Sequence, residues 1–340
     1  MISLLRKIDS SLMEIPSGDG VIAVSNRLQG RIFCAIDGML IHRFDSALAE
    51  APSHDKFNNI GGNSLWPGPE GGDYAFNYLP GTEWLVQPAI NSKESVSISL
   101  PDYGATIGKD LPLRNRKGME IELHFRRHVQ SLDTSRIASD YSLRTLGYRT
   151  LDMLHPKNSY PTEKMLFCAW SLEQFPGGDQ VMAFGRMRGD AADGINTKYY
   201  GDPGKRLESE RNCFRLRLGG EERFQIGISH EAGPELIGAY DRERSLLVIR
   251  KTWPQEGLYF NIADNEQPGG PFSAADSFSI FNGGNLGFYE LETIAPLQLG
   301  PGNTCGPSLL WSETIIMQGT RNKLVSCFEK HFKMPGSFLA

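Results

Sequence analysis

Two glutamates two residues apart carry the first sign of chemistry in this chain. In Phe288-Tyr289-Glu290-Leu291-Glu292-Thr293-Ile294 they fall on one face of a strand, with Tyr289, Leu291 and Thr293 on the other. Carboxylates so placed stand about 7 Å apart along the strand. Adjacent like charges raise one pKa, which is one route to a general acid or base. The plainer role is an edge strand whose charges discourage aggregation.

A second polar row lies in Glu120-Ile121-Glu122-Leu123-His124-Phe125-Arg126-Arg127-His128-Val129. Period two puts Glu120, Glu122, His124, Arg126 and His128 on one face. Ile121, Leu123, Phe125 and Val129 take the other, broken by Arg127. A strand with a solvated outer face is the common outcome. If the row instead lines a concave surface, two imidazoles beside an arginine supply groups that titrate near neutrality. His124 and His128 stand roughly 13 Å apart along such a strand, too far to share one ion, so no metal is expected. The remaining histidines, His42 and His230 among them, are isolated in the sequence.

The third segment is Ile60-Gly61-Gly62-Asn63-Ser64-Leu65-Trp66-Pro67-Gly68-Pro69-Glu70-Gly71-Gly72. Glycines permit positive φ and prolines fix φ, so the spacing predicts a loop of defined shape. Such a loop presenting the Trp66 indole and the Glu70 carboxylate suits a sugar: a pyranose face stacks on an aromatic ring, and carboxylates accept from hydroxyls. The alternative is that Trp66 plugs the core and Glu70 caps a turn. Walker and G-x-G-x-x-G spacings are missing here, as is a G-x-S-x-G elbow.

The elements that must position these residues are mostly strands. The chain has 340 residues with 37 glycines and 20 prolines, an excess that favours turns over long helices. Short segments rich in Val, Ile, Phe and Tyr recur between turn clusters such as Pro176-Gly177-Gly178 and Gly219-Gly220. Examples are Gly20–Ser25, Gly30–Ile36, Met165–Phe175, Gln180–Arg186, Arg223–Ser229, Ser245–Lys251 and Ser308–Met317. Ile2, Leu4, Leu5, Ile8, Leu12 and Ile15 predict a helix over 1–16 that ends before Pro16. Leu324 and Phe328 predict a second over 319–332. A dozen or more strands with helices at the ends imply one all-β domain over 1–340, built of two large packed sheets.

Composition narrows the partners. Lys plus Arg is 35 and Asp plus Glu is 40, a formal net charge of −5, so nucleic acid is not expected as a partner. No apolar run approaches the roughly 18 residues that span a bilayer, so no membrane partner is expected. The N-terminus is broken by Arg6, Lys7 and Asp9, which predicts a cytoplasmic protein. Cys34, Cys168, Cys213, Cys305 and Cys327 are odd in number and widely spaced, which fits reduced core thiols.

Several segments together resemble a bacterial branch of the galactose-mutarotase-like superfamily. They are Gly61-Gly62-x-x-Leu65-Trp66-x-Gly68-Pro69-Glu70-Gly71-Gly72, Ala169-Trp170-Ser171-Leu172 to Phe175-Pro176, and Arg223–Ser229 continuing to Gly238-Ala239-Tyr240-Asp241. Asp276 through Phe281-Asn282-x-Gly284 and Tyr289–Thr293 complete the series, which runs from about residue 20 to 320. The resemblance implies a β-supersandwich of two large antiparallel sheets with a carbohydrate site on a concave face. Active members interconvert sugar anomers. A base, usually Glu, takes the anomeric proton, and an acid, usually His, protonates the ring oxygen.

Those roles do not map here through a short motif, so their assignment rests on charge and alternation. Glu290 or Glu292 is expected as base and His128 or His124 as acid. Arg126 is expected to orient hydroxyls, with Trp66, Glu70, Glu292 and Asn282 binding substrate. No cofactor is expected. The expected function is that of an aldose 1-epimerase-like protein acting on a sugar or oligosaccharide. The alternatives are a non-catalytic carbohydrate-binding protein and, third, a polysaccharide hydrolase or lyase with paired carboxylates.

Overall fold

Alternating burial along the strands sets the architecture. In the computed structural model, which describes residues 2–53, 56–77, 83–99, 104–199, 201–262, 271–272 and 274–339, the strand Glu120–Ser131 buries Ile121, Leu123, Phe125, Arg127 and Val129. Glu120, Glu122 and Arg126 of the same strand are exposed. Repeated over the chain, this period assembles two ten-stranded sheets packed face to face. Among the described residues every strand pair is antiparallel.

The first sheet runs in the order Met13–Ser17, Gly20–Ser25, Arg31–Ile36, Gly62–Gly68, Cys168–Pro176, Phe288–Ile294, Asp276–Asn282, Phe224–Ser229, Ile195–Asn196, with Met39–Leu40 on Arg31–Ile36. The second runs Leu207–Glu210, Cys213–Arg217, Val181–Met187, Pro234–Asp241, Leu246–Thr252, Ser308–Gln318, Arg144–Pro156, Glu120–Ser131, Gly104–Arg114, Val96–Ser99. Ile22, Val24, Ile32, Ile226, Phe278, Ile280 and Leu291 of the first meet Val129, Leu146, Ala239, Val248 and Ile316 of the second in one apolar core.

Two departures from the sequence expectations concern local structure. The N-terminal helix covers only Ile2–Ile8. Met13–Ser17 is instead an edge strand, paired from Met13–Val24 to Ser17–Gly20. An edge strand accommodates Pro16, and the apolar spacing continues because Ile15 faces the inter-sheet core. Gly62–Gly68, expected to be a loop, is a wholly buried strand in the middle of the first sheet. Its partner on one side is Cys168–Pro176 along its full length, whereas on the other only Asn63 pairs, with Ile32. Pro67 is therefore tolerated, because no ladder bond is asked of it there.

The C-terminal helix Arg321–Lys330 lies on the second sheet, with Leu324, Cys327 and Phe328 against Phe184, Leu247 and Ile249. Ile2, Leu5 and Ile8 lie on the first sheet's outward side against Ala23, Phe33 and Ala35. All five cysteines are buried and free. No helix among the described residues is long and apolar enough to cross a membrane.

Candidate functional site

Five neighbouring strands of the first sheet turn one face away from the second sheet. Pairing puts Trp66 opposite Trp170, Gln174 opposite Glu290, and Leu172 opposite Glu292. Glu292 in turn faces Ser279, and Phe281 faces both Glu290 and Gln225. Directly opposed residues share a face, so all of these side chains belong to the outward side.

The glutamate pair is its chemical centre. Glu290 is 7% and Glu292 1% exposed. Gln174 Nε2 donates to Glu290 Oε1 at 2.6 Å. Trp170 Nε1 donates to Glu292 Oε2 at 3.0 Å, and Gln225 Nε2 to the same oxygen at 3.2 Å. The two carboxyls stand on successive outward positions of the same strand. Burial pushes Glu290 up to about 7, aided by the charge of Glu70. Burial and the Glu290 charge push Glu292 well above the usual carboxylate range. Two such buried groups side by side on one strand do not both ionise near neutrality, so the pair holds a proton.

Around the pair the donors are mostly neutral. Arg31 Nη1 donates to the Gly61 carbonyl at 2.7 Å, and burial lowers its guanidinium to about 10. Arg43 donates to the Asn59 carbonyl at 2.6 Å and to Gln174 Oε1 at 3.2 Å, and lies over the Phe288 ring. At one rim Glu70 accepts from Trp84 Nε1 at 2.9 Å, and Trp84 is 41% exposed. Phe57 meets Trp66 and Trp84 edge-on, at 5.3 and 5.7 Å between centroids. At the other end lie Asp276, Tyr199 and Asn196, with His230 stacked on Tyr259 at 4.0 Å. Among the described residues no group of three or more His, Cys, Asp or Glu could hold a metal ion. A separate hollow of about 530 Å³ is lined by Gln87, Arg114, Glu122 and Tyr160, and Glu70, Asp276, Glu290 and Glu292 take no part in it.

A family model matches residues 2–335, and its family is described as one of unknown function, DUF6786. The chain belongs to DUF6786. No curated protein matches it in sequence. A solved structure of a candidate aldose 1-epimerase from Escherichia coli K12 is similar over 90% of this chain and 98% of its own, with TM-score 0.51 and 13% identity. A galactose mutarotase-like protein from Lactobacillus casei is similar over 90% of this chain and 100% of its own, with TM-score 0.52 and 10% identity. At those identities the likeness carries the fold alone, and this DUF6786 chain has the galactose mutarotase-like fold.

The residues expected from sequence divide between the two sheets. Glu290, Glu292, Trp66 and Glu70 come together at the first sheet's outward face. His124, Arg126 and His128 do not join them. They belong to the second sheet, and since Arg127 between them points inward to Asn63 of the first sheet, alternation turns them away from it. His124 Nδ1 meets Asp110 Oδ1 at 3.0 Å, and His128 Nδ1 meets Thr106 Oγ1 at 2.7 Å. The expectation that His128 shares a hollow with Glu290 is thus corrected by strand membership. Asn282 is also elsewhere. Its amide accepts from the Gly219 N–H at 2.9 Å and donates to the carbonyls of Gly219 and Glu222, tying down a turn. Trp66 is on the right face but packed edge-on against Trp170, so the indole open to solvent is Trp84.

Sequence reasoning did not single out Gln174, Gln225, Trp84, Tyr199 or Asp276. For Gln174 and Gln225 a signal exists: each is a polar residue on the outward row of a strand whose other row is apolar or buried. For Trp84, Tyr199 and Asp276 no local pattern marks them, because long-range packing brings them to the face.

Proposed function

We propose that the outward face of the first sheet is a carbohydrate site at which the Glu290–Glu292 pair moves a proton, interconverting the anomers of an aldose. The observation that carries this reading is the pair of buried carboxyls on successive outward positions of one strand, each bonded by neutral side-chain donors and each raised by burial. In a pyranose the anomeric and ring oxygens share one carbon, so a base and an acid side by side suit them. Glu290 as carboxylate takes the proton from the anomeric hydroxyl. Glu292 as carboxylic acid gives its proton to the ring oxygen, and the bond from that oxygen to the anomeric carbon breaks. The aldehyde turns about its bond to the next carbon, and reclosure returns both protons. Trp84, held by Glu70, supplies an aromatic surface for the sugar's apolar face.

The reading is tested by anomer exchange, measured by polarimetry or NMR, over a panel of free aldoses. The protein accelerates at least one, and the rate rises with pH as Glu290 ionises near about 7. Glu290→Gln slows it by roughly 10²–10⁴-fold. Rates no faster than buffer for every aldose overturn the catalytic reading. A sugar bound without turnover then points to a carbohydrate-binding protein, which is favoured by the near-complete enclosure of Glu292.

A further inference from the structure

A β-bulge decides where one more carboxylate of the first sheet points. Phe224–Ser229 pairs with Asp276–Asn282 in regular register from Phe224–Asn282 to Ile228–Phe278. Then Ser229 opposes Asp276, and the register skips Ser277. Strict alternation would put Asp276 on the side of Phe278 and Ile280, which lie in the inter-sheet core. The extra residue re-aims it to the outward face. There its carboxylate lies over Gly227: a Cβ on that glycine would meet Asp276 Oδ2 at 2.1 Å and the Tyr199 hydroxyl at 2.7 Å.

The bulge, the glycine and two donors together determine which oxygen is committed. Oδ2 accepts from the Tyr199 hydroxyl and from Asn196 Nδ2. Among the described residues nothing donates to Oδ1, although Asp276 is 1% exposed. A buried carboxylate oxygen without a donor is costly, and burial raises this group to about 6. Gly227 opposes Ser279 and Ser279 opposes Glu292. Two strand spacings, roughly 10 Å, therefore separate Gly227 from the Glu292 backbone, with Ser279 on the strand between them.

We infer that Asp276 Oδ1 accepts a hydrogen bond from one hydroxyl of a sugar bound on this face, and so selects sugars that carry that hydroxyl. This rests on the carbohydrate reading above and adds a specificity-determining residue to it. A site built to bond a hydroxyl rejects the analogue that lacks it, because its own polar atom is then left unpaired.

The experiment is calorimetric binding of an aldose and its monodeoxy analogues to the wild-type chain and to Asp276→Asn. Tyr199 and Asn196 hold the asparagine oxygen on their side, which leaves an amide N–H where the open acceptor was. One deoxy analogue is expected to bind the wild-type chain at least about 10²-fold more weakly than its parent. Asp276→Asn is expected to bind parent and analogue about equally. Gly227→Ala, whose new Cβ displaces the carboxylate while leaving Asp276 in the chain, is expected to lose the same discrimination. If an aldose binds but wild type and both variants discriminate alike across the deoxy series, the inference fails and the carbohydrate reading stands. If no aldose binds the wild-type chain, both fail.

Discussion

Glu173 and Gln174 are neighbours on one strand and look out of opposite sides of the first sheet, into two very different places. Glu173 faces the second sheet. It accepts from the Tyr148 hydroxyl at 2.5 Å, His42 Nε2 at 2.8 Å, Thr314 Oγ1 at 2.8 Å and the Arg250 guanidinium. Cys34 N–H donates to His42 Nδ1 at 2.9 Å, so the imidazole proton is on Nε2 and points at Glu173. Gln174 faces outward and serves Glu290. Both glutamates are buried, and burial pushes both up. At Glu173 the Arg250 charge and the hydrogen bonds outweigh burial and hold the carboxyl down at about 2. At Glu290 the donor is the neutral Gln174 amide, and the Arg31 charge is too weak an offset beside Glu70, so burial wins. The same fold thus keeps one carboxylate permanently charged for architecture and another poised to take up a proton.

The inner set is a bolt between sheets. Arg250 of the second sheet also donates to Ser171 Oγ at 2.7 Å and Thr293 Oγ1 at 3.0 Å of the first. Arg127 pairs with Asp152 through two bonds of 2.7 and 3.0 Å and reaches across to Asn63 Oδ1 at 2.6 Å. Removing one partner of such a pair strands a buried charge. Arg250→Met is therefore expected to cost about 3–5 kcal/mol in urea denaturation, whereas Glu290→Gln costs less than about 1 kcal/mol or stabilises. Comparable losses for the two variants would break the contrast.

The next largest effect is in the pH dependence of stability, where the two faces have opposite signs. Glu290 in the folded chain, at about 7 against an ordinary 4.5, keeps a proton that the unfolded chain has released. Its contribution is complete below about pH 4.5 and is lost as pH rises through about 7. Glu173, at about 2, contributes fully above about 4.5 and loses that contribution as pH falls toward 2. Between pH 5 and 8 the wild-type chain is expected to lose on the order of 1–3 kcal/mol that Glu290→Gln does not. Parallel denaturation profiles for the two over that range would show that Glu290 does not titrate there.

Local alternation made part of this legible. Glu120–Ser131 and Phe288–Ile294 follow period two closely, and the pairing of Glu290 with Glu292 on one face is read directly from it. Alternation cannot say which sheet a strand joins, because that is decided by partners far away in the chain. His128 and Glu290 show the same pattern, yet their outward faces belong to different sheets and point apart. Arg127 is the instructive case. It breaks an apolar row, and the break marks a buried ion pair with Asp152 rather than a flaw in the strand. Asp276 was illegible for a different reason: a single skipped residue in a long-range register reverses its face. The glycines of 61–72 pointed to a loop because their turn propensity is local, while burial between flanking layers made Gly62–Gly68 a strand.

The smallest test takes one neutral donor from each carboxyl. Thr314→Val removes a hydroxyl from Glu173, which keeps Arg250, Tyr148 and His42. Gln174→Met removes the amide that donates to Glu290 at 2.6 Å, and no guanidinium bonds that carboxyl to compensate among the described residues. Each deletion is expected to cost about 1 kcal/mol of stability. Their effects on titration differ. A hydrogen bond to the charged form favours it, so losing Gln174 moves the Glu290 midpoint above about 7, whereas Glu173 stays ionised through the neutral range in Thr314→Val. Carboxyl carbon shifts of labelled glutamate, followed by NMR from pH 4 to 9, separate the two. A downward move of the Glu290 midpoint in Gln174→Met would mean that the amide had been holding the protonated form, and the proton would then have to rest on Glu290 instead of Glu292.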